Sequence, residues 1–177
     1  MSAVVVSRRF GALVAGVLAL ALTTSCVGSV EQTAAPQGSN ASVVRVVDGD
    51  TIVADISGKS EKIRMIGFNT PESVDPRKPV ECFGKEASAR MKELLPPHTP
   101  IRLERDAESR DVYGRLLAYV YRSSDSMFVN LEMVSEGYAH VLSIAPNTTY
   151  ADRFRSAERV ARDATRGLWA ACPLRSG

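Results

Sequence analysis

The chain has 177 residues, of which 22 are lysine or arginine and 20 are aspartate or glutamate, giving a formal net charge of +2. This length suffices for one domain of ordinary size and an additional segment. Because the charges nearly balance, the net charge gives no reason to expect nucleic-acid binding. Any anionic substrate must therefore be held by local cations.

Residues 1–25 are predicted to be a signal peptide. Arg8 and Arg9 form a basic start, and the apolar run Phe10–Leu22 is shorter than the roughly 20 residues of a membrane span. Cys26 follows a small residue, as in lipoprotein signals, where the cysteine receives lipid; an ordinary secretory signal is the alternative. We therefore expect an exported protein, anchored to the outer face of the cytoplasmic membrane or secreted. Loss of the two arginines would leave the mature chain formally neutral.

Residues 26–42 are small, polar and aperiodic, which predicts a flexible tether. The chain contains three cysteines, an odd number. If Cys26 carries lipid, Cys82 and Cys172 remain as a pair. In an oxidising compartment such a pair favours a disulfide, and two separate buried thiols are the alternative.

The folded domain is predicted to span residues 43–172, with a short tail at 173–177. It opens with two runs rich in β-branched residues and a third run in which Ile63 and Met65 lie on one face and Arg64 and Ile66 on the other, and the three predict a meander of strands. These runs are Val43–Val47, Thr51–Ile56 and Glu61–Gly67. A loop rich in proline and charge follows, from Asn69 to Phe83.

The remaining pattern alternates helices and strands. The predicted helices are Gly84–Leu95, a short helix capped by Asn130 and ending at Glu136, and a helix from about Thr149 to Asp163. The core faces of the first and last helix are Ala87, Met91, Leu94 and Leu95, and Tyr150, Phe154, Ala157 and Ala161. The further strands are Pro100–Glu104 and Arg115–Arg122. This order predicts a β-rich α+β fold: a five-stranded barrel of oligonucleotide/oligosaccharide-binding (OB) type with three packed helices.

Polar residues cluster where the predicted strands end, which is where functional groups concentrate on a rigid scaffold. They are Asp48, Asp50, Arg64, Asn69, Thr70, Glu72, Asp111, Tyr113 and Arg115. Acids beside two arginines indicate a metal-assisted reaction at a phosphate, in which a remaining carboxylate activates water. His98 and His140 lie far apart and are predicted to be surface residues, and CxxC spacing is absent. Hard oxygen ligands therefore indicate Ca²⁺ or Mg²⁺ rather than zinc.

Each of these residues also has a structural interpretation. Asp-Gly is a favoured pair in tight turns, so the Asp-Gly-Asp run need not bind a cation. Glu72 could be a solvated loop acid. The two arginines could form ion pairs within the fold: the candidate partners are Glu61 or Glu104 for Arg64, and Asp111 for Arg115.

The chain contains, in order, VVDGDT, IRMIGFNTPE, GKEASARMKELL, DVYGRLLAYVY, APNTTY and RGLW. Each segment alone is a weak signal, but their order and spacing from about Val43 to Trp169 resemble the staphylococcal nuclease (thermonuclease) family. The resemblance implies a calcium-dependent phosphodiesterase that cuts single-stranded DNA and RNA, as an endonuclease or an exonuclease.

The resemblance also implies a metal site. Asp50 matches the principal calcium carboxylate, Asp48 matches an acid that shapes the site, and Thr70 matches a residue that gives a backbone carbonyl. The chain departs from the family at Asn69, which stands where the second calcium carboxylate is usually an aspartate. An amide oxygen can still coordinate, but the site loses one negative charge.

The resemblance further implies the residues that act on the substrate. Glu72 matches the carboxylate usually assigned as general base, and Arg64 and Arg115 match the arginines that bind the scissile phosphate. Tyr113 matches a tyrosine that touches the terminal phosphate of the nucleotide. After His140 the chain reads Val-Leu-Ser-Ile-Ala, where some relatives place tyrosines that contact the base, so we expect looser substrate binding.

We therefore predict an exported nuclease, held at the membrane through a lipid on Cys26. A non-catalytic barrel that binds nucleic acid or another polyanion is the alternative. The combination of Arg64, Glu72 and Arg115 argues against that alternative, and Asn69 argues mildly for it. A scaffold for other envelope proteins is a third hypothesis, which would require an exposed apolar patch. No protein partner is evident in the sequence, and we expect a monomer.

Overall fold

The computed structural model describes residues 38–74, 76–77 and 79–172. The predicted signal peptide, Cys26 and the C-terminal tail lie outside these residues. Within them, eight strands and four helices follow one another. The strands are β1 (Ala41–Val46), β2 (Thr51–Ile56), β3 (Lys59–Met65), β4 (Gly67–Asn69), β5 (Pro100–Glu104), β6 (Leu116–Arg122), β7 (Met127–Phe128) and β8 (His140–Leu142). The helices are α1 (Gly84–Leu94), α2 (Val129–Ser135), α3 (Ala151–Asp163) and α4 (Leu168–Ala171).

Five of the strands close into a barrel. β1 pairs antiparallel with β2 and β5, β2 pairs with β3, and β5 pairs with β6. Parallel pairing of β3 with β6 closes the ring. β7 pairs with β6, while β4 and β8 form a separate two-stranded sheet. The predicted α+β fold with a five-stranded OB barrel is therefore confirmed.

The helices cover the barrel with the faces that the sequence predicts. In α1, Met91 is fully buried, as is Leu95 directly after the helix, and in α3 Phe154 and Ala161 are buried. α2 packs between α1 and α3 and against β6. None of the helices in the part of the chain that the structure describes is long and apolar enough to cross a membrane.

The prediction of one continuous third strand, Glu61–Gly67, is wrong, because the structure has two strands here. β3 ends at Met65, and β4 begins at Gly67, whose φ of 95° is readily adopted by glycine. A Cβ at Gly67 would lie 2.3 Å from the ring of Phe154. Glycine thus leaves room for the Phe154 ring of α3 at the bend, and in the β4 strand that follows Asn69 lies opposite His140 of β8.

The prediction that Asn130 caps the second helix is also wrong. The helix begins at Val129, and the Asn130 side chain is buried in the fold. Its Oδ1 accepts a hydrogen bond from the Val120 N–H (2.8 Å), and its Nδ2 donates to the Ile66 carbonyl (2.9 Å). Asn130 thus satisfies buried backbone groups of β6 and of the β3–β4 bend. No local pattern in the sequence reveals these partners.

Both ends of the domain differ from the sequence prediction. β1 begins at Ala41, two residues early, and the preceding Asn40 exchanges two hydrogen bonds with the backbone of Leu103 (3.0 and 2.8 Å). At the other end, α4 raises the number of helices in the described residues to four, where three are predicted. Its four residues are too few for a periodic signal.

Cys82 and Cys172 form a disulfide, with their Cα atoms 5.9 Å apart. The bond joins the loop before α1 to the residue that follows α4. The alternative of two separate buried thiols is therefore wrong, and the exposure of Cys82 agrees with this.

Candidate functional site

One cleft, with a volume of about 820 Å³, gathers the residues predicted to form the site. Its walls are the β1–β2 turn, the end of β3, the β4 strand with the loop after it, and the loop before β6. The predicted site residues in this cleft are Asp48, Asp50, Arg64, Asn69, Thr70, Glu72, Tyr113 and Arg115. Residues that are far apart in the sequence thus share one surface.

Gly49 allows the β1–β2 turn to approach the loop after β4. A Cβ at this position would lie 2.7 Å from the side chain of Thr70. The close approach lets the buried Asp50 accept hydrogen bonds from the Thr70 N–H (3.1 Å) and hydroxyl (3.3 Å). The Asp-Gly-Asp run is therefore a turn, and it also carries a buried carboxylate into the cleft.

Asp48 and Asp50 are direct neighbours in space. The Asp48 carboxylate accepts a hydrogen bond from the Asp50 N–H at 3.1 Å. Burial, followed by repulsion from Asp50, raises the pKa of Asp48 to about 6. Two adjacent carboxylates that repel each other, of which Asp50 is buried and Asp48 half-buried, are stabilised by a nearby cation.

The side chain of Arg64 is partly buried, with 13% of it exposed, and its guanidinium lies against this acid pair. It forms an ion pair with Asp50 at 3.2 Å and donates hydrogen bonds to the Asn69 amide oxygen (3.0 Å) and the Phe68 carbonyl (3.2 Å). Burial lowers the pKa of Arg64; Asp50 opposes this change, and repulsion from Arg115 reinforces it. The two arginines therefore share one electrostatic environment.

The structure confirms the suggested ion pair within the fold for Arg115 but not those suggested for Arg64. Arg64 pairs with neither of its suggested partners: Glu61 pairs with Lys59 and Arg110, and Glu104 bonds to Arg102 and Tyr150. Arg115 does pair with its suggested partner, because its Nε lies 2.6 Å from the Asp111 carboxylate.

The pairing of Arg115 leaves donors for an anion. Only Nε and the backbone N–H bond to Asp111, and the terminal guanidinium nitrogens have no hydrogen-bond partner among the described residues. Burial raises the pKa of Asp111, but the hydrogen bonds from Arg115 outweigh it and lower this pKa overall. The ring of Tyr113 lies 5.5 Å from the Arg115 guanidinium and is 82% exposed.

Glu72 is half-buried at the start of the loop that leads to α1, so it is not a fully solvated acid. Its Oε1 accepts hydrogen bonds from the N–H groups of Ser73 (2.8 Å) and Val74 (2.7 Å). These two donors orient the carboxylate.

The oxygen donors of the cleft fit a hard divalent cation. They are the carboxylates of Asp48 and Asp50, the Asn69 amide oxygen and the Thr70 carbonyl. In the described part of the chain, no three His, Cys, Asp or Glu side chains converge on a metal position. A cation here would therefore also use the two neutral oxygens. The Asn69 Nδ2 donates to the Thr70 carbonyl at 3.0 Å, and its amide oxygen accepts from Arg64. Coordination by these two groups would replace those hydrogen bonds.

Sequence reasoning did not assign Glu81, Glu108 or Asn147, which also line the cleft. The Glu81 carboxylate accepts a hydrogen bond from the Glu72 N–H at 3.0 Å. Asn147 is buried, accepts from the Glu108 N–H (2.7 Å) and donates to the Glu108 carbonyl (3.0 Å). Asn147 lies within the APNTTY segment, but a pairing across 39 residues leaves no local signal.

Comparison with known proteins finds relatives over most of this chain. The family model described as "Staphylococcal nuclease homologue" matches residues 62–171. The chain is 42% identical over 127 residues to the thermonuclease of Staphylococcus hyicus, covering 72% of this chain and 73% of that protein. It is 41% identical over 133 residues to the thermonuclease of Staphylococcus intermedius, covering 75% and 77%. It is 39% identical over 132 residues to endonuclease YncB of Bacillus subtilis (strain 168), covering 73% and 61%.

These relatives confirm the prediction of a nuclease that acts as a phosphodiesterase, with a nucleic acid as its substrate. The family is generally metal-dependent, in agreement with the oxygen donors of the cleft. The matched segment includes the β3–β4 bend, the loop before β6 and all four helices. The chain belongs to the staphylococcal nuclease family.

Proposed function

We propose that the chain is a calcium-dependent nuclease that hydrolyses phosphodiester bonds of single-stranded DNA and RNA outside the cytoplasm. The observation that supports this is the convergence of an adjacent acid pair, two arginines and Glu72 on one cleft. An acid pair attracts a divalent cation, the arginines attract a phosphate, and a carboxylate beside both can serve as a base.

Asp48, Asp50, the Asn69 amide oxygen and the Thr70 carbonyl would hold the calcium ion. When bound, the ion supplies positive charge that stabilises the phosphate oxygens in the transition state. Calcium accepts flexible sets of oxygen ligands that include carbonyl and amide groups, which favours it over magnesium at this mixed site.

Glu72 takes a proton from the water that attacks phosphorus. The N–H groups of Ser73 and Val74 donate to its Oε1 and so keep the carboxylate oriented. Arg64 and Arg115 bind the non-bridging oxygens of the scissile phosphate and stabilise the charge that they gain during attack. Tyr113 contacts the terminal phosphate of the nucleotide from the rim of the cleft.

Cleavage assays on single-stranded DNA, single-stranded RNA and duplex DNA of matched sequence test this proposal. We expect calcium to support cleavage of both single strands, a calcium chelator to stop it, and duplex DNA to be cut more slowly. Full activity in the presence of chelator would contradict the metal dependence. Equal activity with magnesium alone would contradict the preference for calcium.

We also propose that the protein is exported, that Cys26 carries a lipid, and that the folded domain is a monomer. Cell fractionation of the parent and of Cys26→Ser tests the first two statements, because loss of the lipid should move the nuclease from the membrane fraction to the medium. An unchanged distribution would contradict lipidation. Light scattering of the purified domain tests the third, and a dimer mass would contradict it.

A further inference from the structure

The backbone of Glu72 is held by Glu81 at both of its polar groups. The Glu72 N–H donates to the Glu81 carboxylate at 3.0 Å, and the Glu81 N–H donates to the Glu72 carbonyl at 2.8 Å. The two contacts close the base of the loop between these residues. The position of Glu72 therefore depends on the position of Glu81.

The start of α1 supports the same backbone from the side. A Cβ at Gly84 would lie 2.6 Å from the Glu72 carbonyl oxygen and 3.0 Å from that of Pro71. The Gly84 N–H in turn donates to the Glu81 carbonyl at 3.0 Å. Glu72 is thus confined between Glu81 and the first residue of α1.

The disulfide fixes the residue that follows Glu81. Cys82 is bonded to Cys172, which directly follows α4. α4 is itself fastened to the domain, because Leu168 is buried and its N–H donates to the Gly137 carbonyl at 2.8 Å. A covalent path therefore connects the loop of Glu72 to the helical layer.

We propose that Glu81 is a positioning residue for Glu72, and that the Cys82–Cys172 disulfide fixes Glu81 for this task. The inference rests on the proposed role of Glu72 as general base. Proton transfer requires hydrogen-bond distance between base and water, and a displacement of about 1 Å can cost about 10²-fold in rate. Substitution of a residue that positions the base should therefore lower turnover more than it weakens substrate binding.

The first test compares Glu81→Ala with Glu81→Gln on a single-stranded oligonucleotide at saturating calcium. The alanine variant loses the acceptor for the Glu72 N–H, whereas glutamine keeps an oxygen there. We expect kcat of Glu81→Ala to fall roughly tenfold or more with KM nearly unchanged, and Glu81→Gln to recover most of the loss. Asp125→Ala is the matched control, because it removes a carboxylate that bonds a backbone N–H in the β6–β7 turn, outside the cleft.

The second test repeats Glu81→Ala in a Glu72→Gln background. If Glu81 acts through Glu72, the second change should cost little more once the base is absent. An equal loss of kcat in both backgrounds, or an unchanged kcat in the single variant, would overturn the inference. A silent Glu72→Gln would instead remove Glu72 from the mechanism, so the two failures are distinguishable.

The third test removes the disulfide in Cys82→Ser/Cys172→Ser. The assay is run at a temperature at which circular dichroism shows that the variant is folded. At that temperature we expect kcat to decrease less than in Glu81→Ala, again without a matching change in KM. A folded variant with the kcat of the parent would overturn the part of the proposal that concerns the disulfide.

Discussion

At the scale of single residues, close backbone contacts bring the groups of the cleft together. Gly49 allows the approach of Thr70, and Gly84 allows the approach of the Glu72 carbonyl. Any larger residue would separate loops whose polar groups now meet at hydrogen-bond distance. The absence of a side chain at these positions is therefore part of how the site is built.

Asn69→Asp should strengthen calcium binding, because a third carboxylate would join those of Asp48 and Asp50. Without calcium the variant should be less stable by about 1 kcal/mol, because it loses the hydrogen bond to the Thr70 carbonyl and its new carboxylate repels the acid pair. Pairing of the new carboxylate with Arg64 offsets this loss only in part. Melting temperatures across a calcium titration measure both effects. Asn40→Asp is the control, since it adds the same charge outside the cleft. An unchanged calcium dependence of Asn69→Asp would place Asn69 outside the metal site.

Lysine should not replace Arg64 or Arg115. Arg115 uses Nε for Asp111 and can offer its terminal nitrogens to a phosphate, whereas a lysine offers a single ammonium. We expect kcat/KM to fall about 10²-fold or more in each variant, as for loss of a transition-state donor. Arg155→Lys, on the exposed face of α3, is the control and should keep the parent rate. Rates near the parent in both cleft variants would contradict the phosphate clamp.

At the scale of elements, Asn130 joins α2 to the barrel. Its side chain bonds the backbone of β6 at Val120 and the bend between β3 and β4 at Ile66. The same bend directs β4 toward β8 and so presents Asn69 and Thr70 to the cleft. A buried amide in the helical layer therefore supports the strand that carries proposed metal ligands.

Asn130→Leu should destabilise the fold by about 2–4 kcal/mol, since it leaves a buried N–H and a buried carbonyl without their partner. Urea unfolding followed by circular dichroism measures this change. Asn40→Leu is a useful comparison, because it removes two hydrogen bonds to the Leu103 backbone at an exposed site and should cost less. Equal losses in the two variants would contradict the importance of burial at Asn130.

At the scale of the whole molecule, the closed barrel and the disulfide hold together segments that are distant in sequence. β3 pairs with β6 in parallel, and Cys82 is bonded to Cys172, which is 90 residues away in the sequence. The cleft uses both connections, because it combines the end of β3, the loop before β6 and the loop that precedes α1. Its geometry therefore depends on the integrity of the entire domain.

Cys82→Ser/Cys172→Ser should lower the free energy of unfolding by about 2–5 kcal/mol, because the unfolded chain gains the freedom that the long loop had lost. Denaturant titration of the oxidised parent and the variant measures this difference. Peptide mass spectrometry without reduction should recover the two cysteines as one cross-linked species. Two thiols that react with an alkylating reagent in the unreduced parent would contradict the bond.

Sequence alone determined the features that local patterns encode. Strand patterns in the sequence predicted four of the five barrel strands closely, and helical periodicity predicted the buried faces of α1 and α3. The order and spacing of the motifs also marked the residues that the cleft gathers. Only the tertiary structure decided the bend at Gly67, the buried role of Asn130 and the hold of Glu81 on Glu72. Each depends on a contact with a segment distant in sequence, and a local sequence pattern does not identify such a partner.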